Sequence, residues 1–122
     1  MDIFSNIDVV NQAINSALVR KDLISQNISN ADTPGYKRMD IDFESVLAKE
    51  VASKGVSGVN ADDLKVEAYV DHATSSYRMD GNNVDIQVER SEESKVEMRY
   101  NALVTRITAQ LNRFDTVLQN LK

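Results

Sequence analysis

Residues Tyr100 to Leu121 read YNALVTRITAQLNRFDTVLQNL. Tyr100, Val104, Ile107, Leu111, Phe114, Leu118 and Leu121 step by alternating four and three without a polar interruption, the spacing of one face of an α-helix. Val96, Leu103 and Val117 broaden the face, and neither glycine nor proline follows Gly81. The pattern predicts one helix from about Glu92 to Asn120, about 40 Å long at ~1.5 Å per residue. Val104, Leu111 and Leu118 flank Ile107 and Phe114, so the stripe is wider than one partner helix covers and suits two or more neighbours. Isolated helices are marginal in water and take their stability from burying such a face. Each large apolar side chain contributes about 1.5–3 kcal/mol when buried. The stripe therefore points to assembly.

A second seam lies near the N-terminus. Ile7, Ile14, Lys21 and Ile28 stand seven apart, and Val10, Ala17, Ile24 and Ala31 form a row three residues on. This is an a/d heptad pattern broken only by Lys21 and widened by Ile3 and Leu18. Ser5 or Asn6 is the expected cap. The helix is expected to end where Pro34 pushes Thr33 out of the α region, and Pro34-Gly35 suits the centre of a type II turn. The segment NISNADTPGYKR, Asn27 to Arg38, thus concentrates the turn chemistry: it holds the chain's one proline and one of its four glycines. Asn27 and Asn30 share a face, and their amides are placed to hold backbone groups at the helix end.

Between the seams the period changes to two. Leu64, Val66 and Ala68 alternate with polar residues, as do Tyr77 and Met79 before the tetrapeptide DGNN and Val84, Ile86 and Val88 after it. This predicts a β-hairpin around Asp80 to Asn83. KEVASKGVSGVNADD, Lys49 to Asp63, reads as a mobile loop. The plan is long helix, small β-rich insert, long helix, with boundaries at 1–33, 34–90 and 91–122.

The 122 residues suffice for one domain, with 42% hydrophobic residues, 6% aromatics and no tryptophan. Such a composition hints at a chain completed by partners. The formal net charge is −5 and no Lys/Arg run exceeds two, which speaks against nucleic-acid binding. No apolar run is long enough to span a membrane, and MDIFSNIDVV lacks the form of a cleavable Sec-type signal. Cysteine is absent, which removes disulfides, thiolate metal sites and cysteine nucleophiles.

Catalytic and metal readings are weak. The single His72, in VDHATSS near Asp71 and Ser75, has no nucleophile elbow and reads as a surface residue. DGNNVDIQVE has acidic and amide groups as a calcium loop does, but its glycine sits at the second position instead of the sixth, which favours a turn. Asp40, Asp42 and Glu44 alternate as strand residues on one face and read as solvated charge. The NIS triplet at Asn27 lies inside a predicted helix and carries no glycosylation reading. No cofactor and no enzymatic activity are expected.

Three ordered stretches carry a resemblance. ALVRKDLISQNISNADTPGYKRMDIDFE (Ala17 to Glu44), DGNNVDI (Asp80 to Ile86) and MRYNAL (Met98 to Leu103) together resemble the axial rod and hook family of the bacterial flagellum, most of all its short proximal-rod members. Ser29 departs from the alanine common there, and Gln87 to Glu97 is more charged than usual. A second type of short rod subunit, or a small soluble helical adaptor, is the alternative.

The resemblance implies a mainly α fold, with the terminal helices paired as an antiparallel coiled coil around a small β-hairpin-containing insert. It implies a structural subunit that polymerises into the hollow, torque-transmitting rod needed for motility, placed in the periplasm without signal-peptide cleavage. Ile7, Ile14, Ile24 and Ile28 with Tyr100, Val104, Ile107, Leu111, Phe114, Leu118 and Leu121 would form the assembly seam. Asn27, Asn30, Pro34, Gly35 and Tyr36 would redirect the chain from coiled coil to insert. Phe43 and Leu47, in FESVL, match the short element read by the export gate. Implied partners are copies of itself, other rod subunits, the adaptor joining rod to MS ring, and the flagellar type III export apparatus.

Overall fold

The computed structural model describes residues 3–72 and 78–121. In chain order the elements are α1 (Ile3–Ser29), β1 (Met39–Asp40), α2 (Phe43–Lys54), two single 3-10 turns (Val56–Gly58 and Ala61–Asp63), β2 (Tyr69–Val70) and α3 (Ile86–Asn120). α1 and α3 are the scaffold. Phe4 meets Phe114 edge-on at 5.4 Å between ring centroids, Lys21 reaches Glu97 at 2.8 Å and Asn27 reaches Glu89. As one helix ascends the other descends, so the pair is antiparallel.

Burial along this pair is uneven. Val10, Ala17, Ile24 and Ala31 are all buried, whereas Ile7, Ile14 and Ile28 are half-buried. On α3 Val96 is buried and packs with Ala17 and Ile24, flanked by Ile28 and Tyr100. Leu103, Val104, Ile107 and Phe114 are half-buried, but Leu111 and Leu118 are 51% exposed and Leu121 77%. The core therefore sits at the turn end of the pair and thins toward the chain termini. Val59 and Leu64 are buried beside the second 3-10 turn, which packs on α1.

The insert contains a small antiparallel sheet, but not where alternation placed it. β1 and β2 pair Met39 with Val70 and Asp40 with Tyr69, bracketing α2. Among the described residues no hairpin surrounds Asp80 to Asn83. Tyr77, its expected first residue, lies outside the described residues, and on the far side Asp85 caps α3 by accepting from the N–H groups of Gln87 and Val88. A good N-cap starts a helix where its side chain satisfies the orphan donors. Ile86 and Val88 are thus helical and exposed, and α3 begins six residues before Glu92.

The expected loop from Lys49 to Asp63 is likewise structured. α2 runs to Lys54 and ends at Gly55, whose N–H makes the last helical bond to Val51 O at 2.8 Å and whose φ of 74° turns the following chain off the helix. At the N-terminus the helix is already running at Ile3, so neither Ser5 nor Asn6 is its cap. α1 closes at Ser29, a little before Thr33, through turn bonds from Asn30 and Ala31.

Candidate functional site: a polar clasp and an open stripe

Two turns lie back to back at the closed end of the helix pair. In the first, Tyr36 N donates to Thr33 O at 3.2 Å, and Gly35 has φ +73°, the value a type II turn needs at its third position. In the second, Gly81 N donates to Arg78 O, with Gly81 at φ +79°. A Cβ built on Gly81 would lie 3.7 Å from Gly35 Cα. Gly35 N donates to Asp80 O at 2.7 Å and Asn83 N to Tyr36 O at 3.3 Å, so backbone joins backbone across the turns.

Side-chain amides complete the join. Asn82 donates to both Asn30 O and Thr33 O at 2.9 Å and accepts from Val84 N. Asn83 accepts from Arg38 N at 2.7 Å and donates to Asp71 O at 2.8 Å. Lys37 Nζ binds Gly81 O and Arg78 binds Ala31 O. Asn30 donates to Gln26 O and accepts from the Thr33 hydroxyl.

Below the turns lies a buried charged layer. Asn27 is 0% exposed. Its amide donates to Met39 O at 2.9 Å and to Glu89 at 3.3 Å, and its oxygen accepts from Met39 N and the Tyr36 hydroxyl. Glu89 is 1% exposed and accepts from Arg38 Nε at 2.6 Å. The same guanidinium reaches Asp71 at 2.9 Å and Asp40 at 3.0 Å. Arg20 joins Asp40 to Glu92 at 2.9 and 3.0 Å. Burial so complete is tolerable only because the partners are present.

The electrostatics follow. Burial alone would push the Asp40 carboxyl up, but hydrogen bonds from Arg20 and Arg38 outweigh it and hold it below its ordinary value. Burial would lower Arg38, yet bonds to Glu89, Asp71 and Asp40 raise it. Glu92 is held low by Lys95 and Arg20. Burial pushes the Tyr36 hydroxyl up. Such groups are locked in pairs, and a locked ion pair holds structure.

Of the residues singled out in sequence, Asn27, Asn30, Pro34, Gly35 and Tyr36 come together in this clasp. Phe43 and Leu47 lie on α2, both half-buried, and Phe43 lines a groove of about 320 Å³ with Ala13, Ala17 and Val96. Of Asp40, Asp42 and Glu44, expected as solvated charge on one strand face, Asp40 is in a strand but not solvated, whereas Asp42 and Glu44 are exposed but lie outside the strand. Asp40 is buried between two arginines, Asp42 caps α2 through Ser45, and Glu44 pairs with Arg99. His72 is exposed, and Ser75 lies outside the described residues. Among the described residues no three His, Cys, Asp or Glu groups are arranged to hold a metal.

Sequence reasoning missed Arg20, Arg38, Asn83 and Glu89. One signal was available: Glu89 stands seven residues before Val96, in the register of the buried α3 row, where a solvated charge is out of place.

An antiparallel pair of terminal helices, clasped at one end and open along an apolar stripe at the other, defines a helical assembly subunit. The model of the family described as flagella basal body rod protein matches residues 7–37, which covers most of α1 and the first turn of the clasp. The flagellar basal body rod protein FlgB of Bacillus subtilis is 32% identical over 97% of this chain and 97% of its own length. FlgB of Proteus mirabilis is 36% identical over 82% of this chain and 83% of its own, and that of Salmonella typhimurium 31% over 88% of each. The chain belongs to the FlgB family of flagellar basal body rod proteins.

Proposed function

We propose that this chain is a structural, non-enzymatic subunit of the proximal rod of the flagellar basal body, one that assembles by packing its terminal helices against those of neighbours. The carrying observation is the exposure of Leu111, Leu118 and Leu121 on heptad rows whose other members are half-buried. An apolar row left open along one helix is area that neighbouring helices cover. Many such contacts make a stiff hollow shaft, and its mechanism is mechanical: torque passes through packed side chains. Its partners on this reading are other copies, other rod subunits and the adaptor at the MS ring, and its location is the periplasmic rod. Its route there is the flagellar type III export apparatus, with Phe43 and Leu47 as the recognised element. Among the described residues no helix is long and apolar enough to cross a membrane. The reading is supported by family membership and by the layout of the helix pair.

Sedimentation and circular dichroism over a concentration series test it. The dilute chain should be short of helix at the open end and gain helix as it assembles. A compact monomer with full, concentration-independent helicity would overturn the proposal in favour of a helical adaptor.

A further inference from the structure

The apolar rows of this helix pair repeat every seven residues on both sides. On α1 they run Ile7, Ile14, Ile28, interrupted by Lys21, and Val10, Ala17, Ile24, Ala31; on α3 they run Val96, Leu103, Val117, interrupted by Gln110, and Tyr100, Ile107, Phe114, Leu121. Sliding α3 by one heptad sets Leu103 where Val96 was and Ile107 where Tyr100 was. Apart from Gln110, which moves to the place of Leu103, apolar side faces apolar side again, so the rows alone specify the alignment only weakly.

The clasp does not repeat. Asn27 and Glu89 face each other, 0% and 1% exposed, and Arg38 binds Glu89 at 2.6 Å. One heptad along, the residue facing Asn27 would be Val96, which offers no polar atom. The Asn27 amide and the Arg38 guanidinium would then be buried without one of their partners. Asn82 and Asn83 anchor the chain just before α3 to the first turn, so a slip would also tear that join. We propose that the Asn27–Arg38–Glu89 layer, with its asparagine anchors, is the register lock of the helix pair. It ensures that every copy presents the same side chains on its open stripe, whatever that stripe assembles with.

The chain has no cysteine, so engineered pairs report register directly. Lys21 and Glu97 are exposed and 2.8 Å apart. In the full chain, Lys21→Cys with Glu97→Cys should be bridged within the monomer by a bifunctional thiol reagent about as long as the Lys and Glu side chains it replaces. Lys21→Cys with Val104→Cys, or with Arg90→Cys, one heptad either side, should not. When Asn27→Leu and Glu89→Leu are added, the slipped pairs should cross-link at yields within a few-fold of the aligned pair. Should that double variant fail to fold and give no cross-link, Glu89→Gln, which keeps the shape and removes the charge, decides on the same criterion. Exclusive cross-linking of the aligned pair in the deciding variant overturns the proposal. So does slipped cross-linking with the clasp intact, or no cross-link in any pair with the clasp intact. None of these outcomes depends on rod assembly, so failure here is separable from failure of the functional reading.

Discussion

Asn27 shows how one amide organises a turn. Its oxygen accepts from Met39 N at 2.9 Å and the Tyr36 hydroxyl at 3.0 Å, while its nitrogen serves Met39 O. Asn27→Ala would leave a backbone N–H, a backbone carbonyl and part of Glu89 without partners. Each buried unsatisfied group costs about 1–3 kcal/mol, so a loss of about 3 kcal/mol is expected in urea unfolding, followed by a probe at the clasp. The charged layer adds a pH dependence of known sign. Asp40 and Glu92 have folded pKa values below their ordinary ones, so the unfolded chain takes up protons first as pH falls. Their contribution is complete above the ordinary carboxylate range and is lost as pH drops through the folded values. Stability should therefore be flat from about pH 5.5 to 7 and decline below about pH 4.5. Asp40→Asn should flatten that decline.

At the scale of elements, the two long helices were legible because a 3.6-residue period sustained over several turns has one structural reading. The helix start at Asp85 was not legible, since Val84, Ile86 and Val88 alternate as a strand would. What decides is that Val84 is drawn into the clasp, buried, while the Asp85 side chain caps the next turn. Tertiary anchoring overrides a three-residue pattern. The clasp's charged layer was hidden for the same reason: Arg38 and Glu89 lie 51 positions apart, and only the fold shows that they meet. α2 is the most weakly anchored helix, with no buried residue. Its Phe43 and Leu47 share a half-buried face, consistent with a segment that separates from the domain at small cost. Replacing both with serine should leave the protein soluble in the cytosol and abolish its secretion, measured as the secreted-to-cytosolic ratio. Normal secretion and swimming would remove both residues from the export reading.

At the scale of the whole molecule, the division between closed clasp and open stripe predicts that one substitution affects two states differently. Leu111 sits mid-way along the distal half of α3, one turn from Ile107 and three residues from Phe114, and is 51% exposed in the single chain. In an assembled shaft, neighbouring helices would cover it. Leu111→Asp then places a charge in a dry interface, where desolvation costs several kcal/mol unless a cation compensates. In the dilute monomer the same aspartate faces water, and the loss should be within about 0.5 kcal/mol, the range of ordinary surface changes. Expression and solubility should survive while rod assembly and swimming fail. Asn112→Asp, an exposed neighbour carrying the same added charge, should be silent in both assays. Cooperative unfolding of the isolated chain by Leu111→Asp would place Leu111 in an internal core. Intact swimming would show that neighbouring subunits pack on another face.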